Sequence, residues 1–241
     1  MTELFNHTKS GGLTVGLLIP AYNEALALGY TLKGLPDRGI DTILVVDNGS
    51  DDGTDKVALN NGAAVVSEPK RGYGQACLAG IEWYRNNPVD IILFMDADGA
   101  DDPSDLKRLL APIIAGEADF VLGSRIRGRK EPGALAPHAE WGNRLAVFLI
   151  RLFFGYKYTD LGPFRAIRRS ALEEIMMADK DYGWTCEMQV KAVIKGVRIR
   201  EIPVSYRRRK FGKSKVSGTV KGTALAGWKI ISTIIRLAFI K

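Results

Sequence analysis

The sequence is poor in the residues that build many small catalytic and structural sites. It has two cysteines, Cys77 and Cys186, and two histidines, His7 and His138. The cysteines stand far apart and at no metal-ligand spacing, which excludes a disulfide framework and a zinc site and fits a reducing cytoplasm. His7 falls in a polar tail, and His138 lies between a broken loop and an apolar stretch, where a structural or acceptor-side role suits it as well as a catalytic one. The first twelve residues contain no apolar run of signal-peptide type. Repeats, low-complexity tracts, interleaved aromatics and a helix-turn-helix are all absent, so no nucleic-acid partner is expected.

What is there is a 241-residue chain of ordinary composition, long enough to bury a core as a domain of moderate size. Its net charge of +7 is uneven: residues 198–241 carry 12 Lys/Arg against the single acid Glu201. Such a basic end suits anionic headgroups or a phosphorylated substrate.

Short apolar runs alternate with helical patterns through the first half. Leu13–Ile19, Thr42–Val46, Ala63–Ser67, Ile91–Met95 and Phe120–Leu122 read as strands. Glu24–Leu35, Thr54–Asn61, Gly74–Asn86 and Ser104–Ala115 read as helices, with Asn23 and Ser104 as N-terminal caps and Pro103 as a start signal. The series predicts an α/β fold with a mostly parallel sheet covered by helices on both faces. From Gly123 the alternation stops. Residues 125–133 form a basic, Gly/Pro-broken loop that reads as a mobile lid. A helix over Glu140–Phe154, a strand at Phe164–Ile167, a short helix from Ser170, a helix over Thr185–Lys195 and a strand at Val197–Val204 follow. In the last helix, Ser217–Ile240, apolar residues recur at helical spacing beside Lys221, Lys229 and Arg236, which reads as an interfacial helix lying on a membrane.

The chemistry is concentrated where strands end. Asp96 and Asp98, in Met95-Asp96-Ala97-Asp98-Gly99, leave an apolar strand as a pair of hard oxygen ligands suited to Mg²⁺ or Mn²⁺ on a diphosphate. Asp47 directly follows Leu44-Val45-Val46 and reads as functional; Asp51, Asp52 and Asp55 read as turn and helix-start residues. Arg71-Gly72-Tyr73-Gly74 lacks the third glycine of a dinucleotide fingerprint and follows the third strand, so it is read as a loop that lets backbone approach a nucleotide. Arg125, Arg127, Arg209, Lys213 and Lys215, with the Ser214 hydroxyl, are candidates for binding phosphate.

The ordered set Pro20-Ala21-Tyr22-Asn23-Glu24, Asp47-Asn48-Gly49-Ser50, Arg71-Gly-x-Gly-x-Ala76 and Asp96-Ala-Asp98 resembles the family-2 glycosyltransferases of GT-A fold. Gly123-Ser124-Arg125, Gly162-Pro163-Phe164-Arg165 and Arg209-x-x-Gly212-x-Ser214-Lys215 resemble the dolichyl- and polyprenyl-phosphate hexose synthase branch within them. The resemblance implies a GT-A catalytic domain over 13–216, with a nucleotide-sugar half at 13–124 and an acceptor half at 125–216. A tail at 1–12 and an amphipathic interfacial helix at 217–241 flank it. It implies that Pro20, Ala21, Tyr22, Glu24, Asp47, Arg71, Asp96 and Asp98 bind the donor, that Asp96 and Asp98 hold the metal, and that Asp98, Arg125 and Arg209 serve catalysis. Arg125, Arg127, Arg209, Ser214 and Lys215 would bind the acceptor phosphate.

Asn48 stands where a second Asp is frequent, and Ala100 where relatives often have a metal-binding Gln, which leaves Asp101, Asp102 or water to complete the shell. The expected function is inverting, metal-dependent transfer of a hexose from a nucleotide diphosphate sugar, of GDP-mannose or UDP-glucose type, to a polyprenyl or dolichyl phosphate. The enzyme would sit at the cytoplasmic face of a membrane, with room for a membrane-embedded partner protein. A phosphomonoester, largely dianionic at neutral pH, attacks without a general base. Two readings stay open beside this one. Transfer to a sugar or lipid hydroxyl would call on Glu187 or Asp160 as base; a non-catalytic nucleotide-sugar-binding or scaffold protein would call on none.

Overall fold

The computed structural model describes residues 12–36, 39–212 and 220–240. His7, Lys213, Ser214 and Lys215 therefore lie outside the described residues. The strands are β1 (Val15–Ala21), β2 (Thr42–Asp47), β3 (Ala64–Ser67), β4 (Ile91–Phe94), β5 (Phe120–Ser124), β6 (Arg165–Arg168) and β7 (Ile199–Pro203). The helices are α1 (Ala25–Lys33), α2 (Thr54–Asn60), α3 (Tyr73–Asn86), α4 (Leu106–Ile114), α5 (Pro137–Phe154), α6 (Arg169–Ile175), α7 (Trp184–Ile194) and α8 (Val220–Ile240).

All seven strands form one sheet in the order β3-β2-β1-β4-β6-β5-β7. The pairs are parallel except those of β6, which runs antiparallel to both β4 and β5. The expected mostly parallel sheet is therefore present, with one reversed strand whose direction the apolar pattern does not encode.

Alternation along each strand divides the interior into two layers. Leu17, Ile19, Val45, Ile91, Leu93 and Val121 face Leu28 and Leu32 of α1, Ala58 of α2 and Leu109, Leu110 and Ile113 of α4. Leu18, Leu44, Val46, Ile92, Phe94, Phe120 and Leu122 face α3, α5, α6, α7 and α8. Burial on both faces explains why the strands read as continuous apolar runs.

Three local expectations are corrected. Asn23 does not cap α1. With φ of 50°, its N–H donates to Ser50 Oγ (2.9 Å) and its Oδ1 accepts from Asp51 N–H (2.9 Å), so it ties the loop after β1 to the loop after β2. The cap before α4 is Asp102, whose Oδ1 accepts the Ser104 N–H (3.1 Å). The basic loop after β5 is strapped down rather than built as a lid. Tyr206 N–H donates to the Arg129 carbonyl (2.8 Å), Glu131 N–H to the Tyr206 carbonyl (2.9 Å) and Arg208 N–H to Glu131 Oε2 (2.7 Å).

Helix α8 is also more than a surface helix. Its Thr233, Ile234 and Leu237 are buried where it packs on α5 and α7. It also leaves Leu225, Trp228, Ile235 and Phe239 exposed, and α5, against which it packs, leaves Trp141, Phe148, Leu152 and Phe153 exposed. Among the described residues no helix is long and apolar enough to cross a membrane.

Candidate active site

Parallel strands present their carboxyl ends on one edge, and four loops meet there. They line a cavity of about 530 Å³ with Pro20, Ala21, Tyr22 and Glu24 after β1, Asn48 after β2, Arg71, Gly72 and Tyr73 at the start of α3, and Asp96 and Asp98 after β4; Asp181, Tyr182, Tyr206 and Arg209 close it from the second half of the chain. Among the predicted donor residues Asp47 is the exception. It is buried beside the cavity, with its carboxylate accepting from Ser50 N–H at 3.2 Å.

The slot between the first and third loops is shaped by two contacts. The Arg71 guanidinium lies 3.4 Å from the centroid of the Tyr22 ring, a stacked pair with a flat face for a base. Asn48 builds the turn beneath it. Its Nδ2 donates to the carbonyls of Glu68 (2.8 Å) and Lys70 (2.7 Å), and its Oδ1 accepts from Gly72 N–H (2.9 Å). This explains the departure from Asp at position 48, because a carboxylate cannot donate to two carbonyls. Asn48→Asp is expected to lose about 1–3 kcal/mol of stability and to weaken nucleotide binding, measurable by urea melts and by titration with UDP. A variant with wild-type values for both would show that Asn48 does not set this turn. Gly74 is equally constrained, since a Cβ there would overlap the backbone of Asp179 and Lys180.

The acidic pair has the setting that a cation requires. Asp96 Oδ1 accepts from Tyr73 Oη–H at 3.1 Å, and Asp98 Oδ1 accepts from Ala100 N–H at 2.9 Å. Burial, and then the neighbouring Asp98 carboxylate, push Asp96 up to about 7, so a cation arriving at a lower pH displaces a proton. Arg209 bridges Glu24 and Asp98: Nη1 contacts Glu24 Oε1 (2.6 Å) and Nη2 contacts Asp98 Oδ2 (2.8 Å). Among the described residues no group of three or more His, Cys, Asp or Glu could hold a metal. Two carboxylates fit Mg²⁺ or Mn²⁺ when diphosphate oxygens and water supply the remaining ligands.

Asp101 and Asp102 do not complete the shell from the cavity side. Asp102 pairs with Arg207 and caps Ser104. Asp101 is buried, and burial, followed by the Asp96 and Asp98 charges, raises it well above the carboxylate range.

The predicted phosphate readers are placed differently from the expectation. Arg125 is engaged by Asp160 through Nε and Nη2 (both 2.8 Å) and stacks behind Tyr206, 5.1 Å from the ring centroid. It reinforces the wall rather than lining the cavity. Arg127 is exposed and donates to the Glu201 carbonyl (2.8 Å). Arg209 alone of the three lines the cavity.

Glu187 is corrected as a candidate base: it is buried, accepts from the N–H groups of Ala178 (3.0 Å) and Asp179 (2.7 Å) and pairs with Lys191 (2.9 Å). Asp160 is held by Arg125. His138 is exposed in the first turn of α5. Beside Glu24, Asp96 and Asp98, the further carboxylate that lines the cavity is Asp181, contributed by the second half of the chain. Burial, and then Asp179, raise its pKa above the usual carboxylate value. Sequence reasoning missed it because Asp-Tyr-Gly reads as a turn. The available signal was an acid just ahead of a helix start, in the half of the chain that must supply an acceptor site.

Residues 17–176 match the pattern of glycosyl transferase family 2. The chain belongs to that family. It is a glycosyltransferase, and its relatives include an uncharacterised glycosyltransferase of Mycobacterium tuberculosis, 37% identical over 228 residues that span 92% of this chain and 99% of the relative. An undecaprenyl-phosphate mannosyltransferase of Micrococcus luteus is 33% identical over 226 residues, 86% of this chain and 89% of that protein. The fold is shared with glucosyl-3-phosphoglycerate synthase from Mycobacterium tuberculosis, solved in complex with Mn²⁺, UDP-glucose and phosphoglyceric acid. The TM-score is 0.74 at 21% identity, over 94% of this chain and 80% of that one.

The expected polyprenyl-phosphate acceptor is corrected at this point. The glucosyl-3-phosphoglycerate synthase structures that share this fold were solved with phosphoglyceric acid, not with a lipid phosphate. In this glycosyltransferase, moreover, two of the arginines expected to read a lipid phosphate are turned to Asp160 and to a backbone carbonyl. The lipid acceptor and the membrane-embedded partner expected with it fall together.

Proposed function

We propose that this glycosyltransferase moves a hexose from a nucleotide diphosphate sugar to a hydroxyl group of an acceptor that enters beside Asp181. The observation that carries the reading is a carboxylate of raised pKa facing the same cavity as the acidic pair. A hydroxyl must lose its proton as it attacks, and a positioned carboxylate can take it.

In this reading the base slot is made by Tyr22 and Arg71, and the ribose and sugar pass along Pro20, Ala21 and Glu24. Asp96 and Asp98 would hold Mg²⁺ or Mn²⁺, which would offset the charge that develops on the departing diphosphate. Arg209 leaves Asp98 and turns to the same diphosphate oxygens. As the bond from the anomeric carbon to the donor phosphate oxygen breaks, the bond to the acceptor oxygen forms. The acceptor proton passes to Asp181 Oδ. Tyr73 and Tyr182 orient the sugar and the acceptor along the wall, and Arg125 supports Tyr206 from behind.

Incubation of the protein and Mn²⁺ with UDP-glucose or GDP-mannose, against sugars, 3-phosphoglycerate and a polyprenyl phosphate, tests the acceptor. The expected product is an acid-stable glycoside on a hydroxyl; product formed exclusively on the lipid phosphate would contradict the reading.

Location follows from a different surface. The exposed apolar ridge of α5 and α8 runs beside Arg151 and Arg236, a pattern complementary to an anionic interface. We propose that this face rests on such an interface peripherally. Flotation with phosphatidylglycerol vesicles should carry the protein, and Trp228→Glu with Phe239→Glu should release it. Equal flotation of the double variant would contradict the proposal.

A further inference from the structure

Asp181 reaches the cavity from the segment between α6 and α7, and that segment is held from two sides. On the donor side, Gly72 and Gly74 press against the backbone of Asp179, Lys180 and Asp181, and Gln75 N–H donates to the Lys180 carbonyl at 2.8 Å. From beneath, Glu187 accepts from Ala178 and Asp179 N–H. Neither anchor supplies a hydrogen bond to Asp181 itself. Its own N–H is held by Asp179 Oδ1 at 2.9 Å.

Asp181 is thus held through its N–H by the Asp179 carboxylate and through its carbonyl by the Trp184 N–H at 3.2 Å, and the support of that carboxylate is unusual. Its side chain is 1% exposed, and Oδ2 accepts no hydrogen bond among the described residues but lies 3.2 Å from Lys229 Nζ of α8. Gly183 leaves the space for it, because a Cβ there would press on Asp179 Oδ2 at 2.5 Å and on Thr233 Oγ1 of α8 at 2.6 Å. Removing one partner of such a pair leaves the other charge buried and uncompensated.

We propose that Lys229 is a positioning residue for hexosyl transfer, holding Asp179 and through it the backbone that carries Asp181 into the cavity. The proposal rests on the reading of Asp181 as the base. It gives α8 a part in the reaction although no residue of α8 lines the cavity. The same arrangement sets the charge around Asp181. Asp179 raises its pKa and Lys229 lowers it, while Arg71 and Tyr73 face the cavity from the α3 side, Asp96 and Asp98 from β4, and Tyr206 and Arg209 from the segment after β7. Loss of the lysine charge therefore moves the acid limb of the pH–rate profile upward. Lys229 is 42% exposed, and an ordinary surface ion pair there would leave the kinetics alone.

The test compares the full-length wild type with Lys229→Met, Lys229→Arg and Asp181→Asn, and with Lys229→Met placed in the Asp181→Asn background. Amide exchange is followed in each protein, as is UDP release from UDP-glucose with Mn²⁺, with and without 3-phosphoglycerate. In Lys229→Met the Asp181 amide is expected to exchange about tenfold faster. Its kcat is expected to fall by about tenfold to a hundredfold, the scale of a small misplacement of a reacting group, with KM for UDP-glucose unchanged and the acid limb raised. Lys229→Arg restores all three, and Lys229→Met costs nothing further once Asp181 is Asn. An unchanged Asp181 amide, or an equal loss of rate in the Asp181→Asn background, would overturn the proposal. A fully active Asp181→Asn protein would instead remove the base reading, and the catalytic half of the proposal with it, whatever the exchange shows.

Discussion

Asp98→Asn is expected to lower kcat/KM by about a thousandfold or more and to abolish its dependence on added Mn²⁺ or Mg²⁺. The reason lies in what the carboxylate faces. Asp98 is buried, with one oxygen on the Ala100 N–H and the other on Arg209. The amide isostere keeps the shape and an acceptor but removes the charge that both Arg209 and a divalent cation require. Arg209 retains Glu24 as a partner (2.6 Å), so the fold should survive and the loss should appear in chemistry and not in melting temperature. Titration with Mn²⁺ and UDP together separates the two effects. The variant is expected to bind UDP with the affinity that wild type shows in EDTA, and to gain nothing when the metal is added. A variant whose turnover and metal response matched wild type would remove Asp98 from the site.

The second large effect is expected at Asp181. Asp181→Asn should reduce transfer to a hydroxyl acceptor by about 10²–10⁴-fold while leaving the affinity for UDP and Mn²⁺ unchanged, because the donor side is built from other loops. The wild-type rate is expected to rise with pH through the pKa of Asp181. That value is raised from the ordinary Asp value, because burial and then the Asp179 charge disfavour the ionised form. The sign follows: the base works when deprotonated, so the rate falls as the pH drops through that value, and Asp181→Asn should flatten this limb. A variant that kept both the rate and the limb would return the proton to another acceptor.

Much of this site was legible before any coordinate. Pro20, Ala21, Tyr22, Glu24, Arg71, Asp96 and Asp98 sit at the ends of apolar runs, and a parallel sheet brings such ends to one edge whatever the rest of the chain does. The helix and strand series was legible for the same reason, since burial on both faces leaves long apolar runs. What was not legible depends on partners distant in sequence. Arg125 reads as a phosphate ligand until Asp160, 35 residues on, takes its guanidinium. Glu187 reads as a base until it closes on the amides of Ala178 and Asp179. Asn48 reads as a departure from pattern until its three bonds to the Arg71 turn are seen. A charged side chain announces its chemistry in the sequence, but the fold decides whether it is left available.

The apolar pattern of α8 illustrates the same limit. Helical spacing identified an amphipathic helix, yet Thr233, Ile234 and Leu237 are buried against α5 and α7, and burying Ile234 or Leu237 contributes about 1.5–3 kcal/mol each. The stripe left outside, from Leu225 to Phe239, is a second apolar face that the periodicity could not separate from the first.

The account depends on a cation held between Asp96, Asp98 and a sugar nucleotide's diphosphate. Anomalous scattering from crystals grown with Mn²⁺ and UDP addresses it most directly. A single manganese peak is predicted against the carboxylates of Asp96 and Asp98 and the diphosphate oxygens, with the Arg209 guanidinium moved off Asp98. A peak elsewhere, with Arg209 still bound to Asp98 in the nucleotide complex, would contradict it.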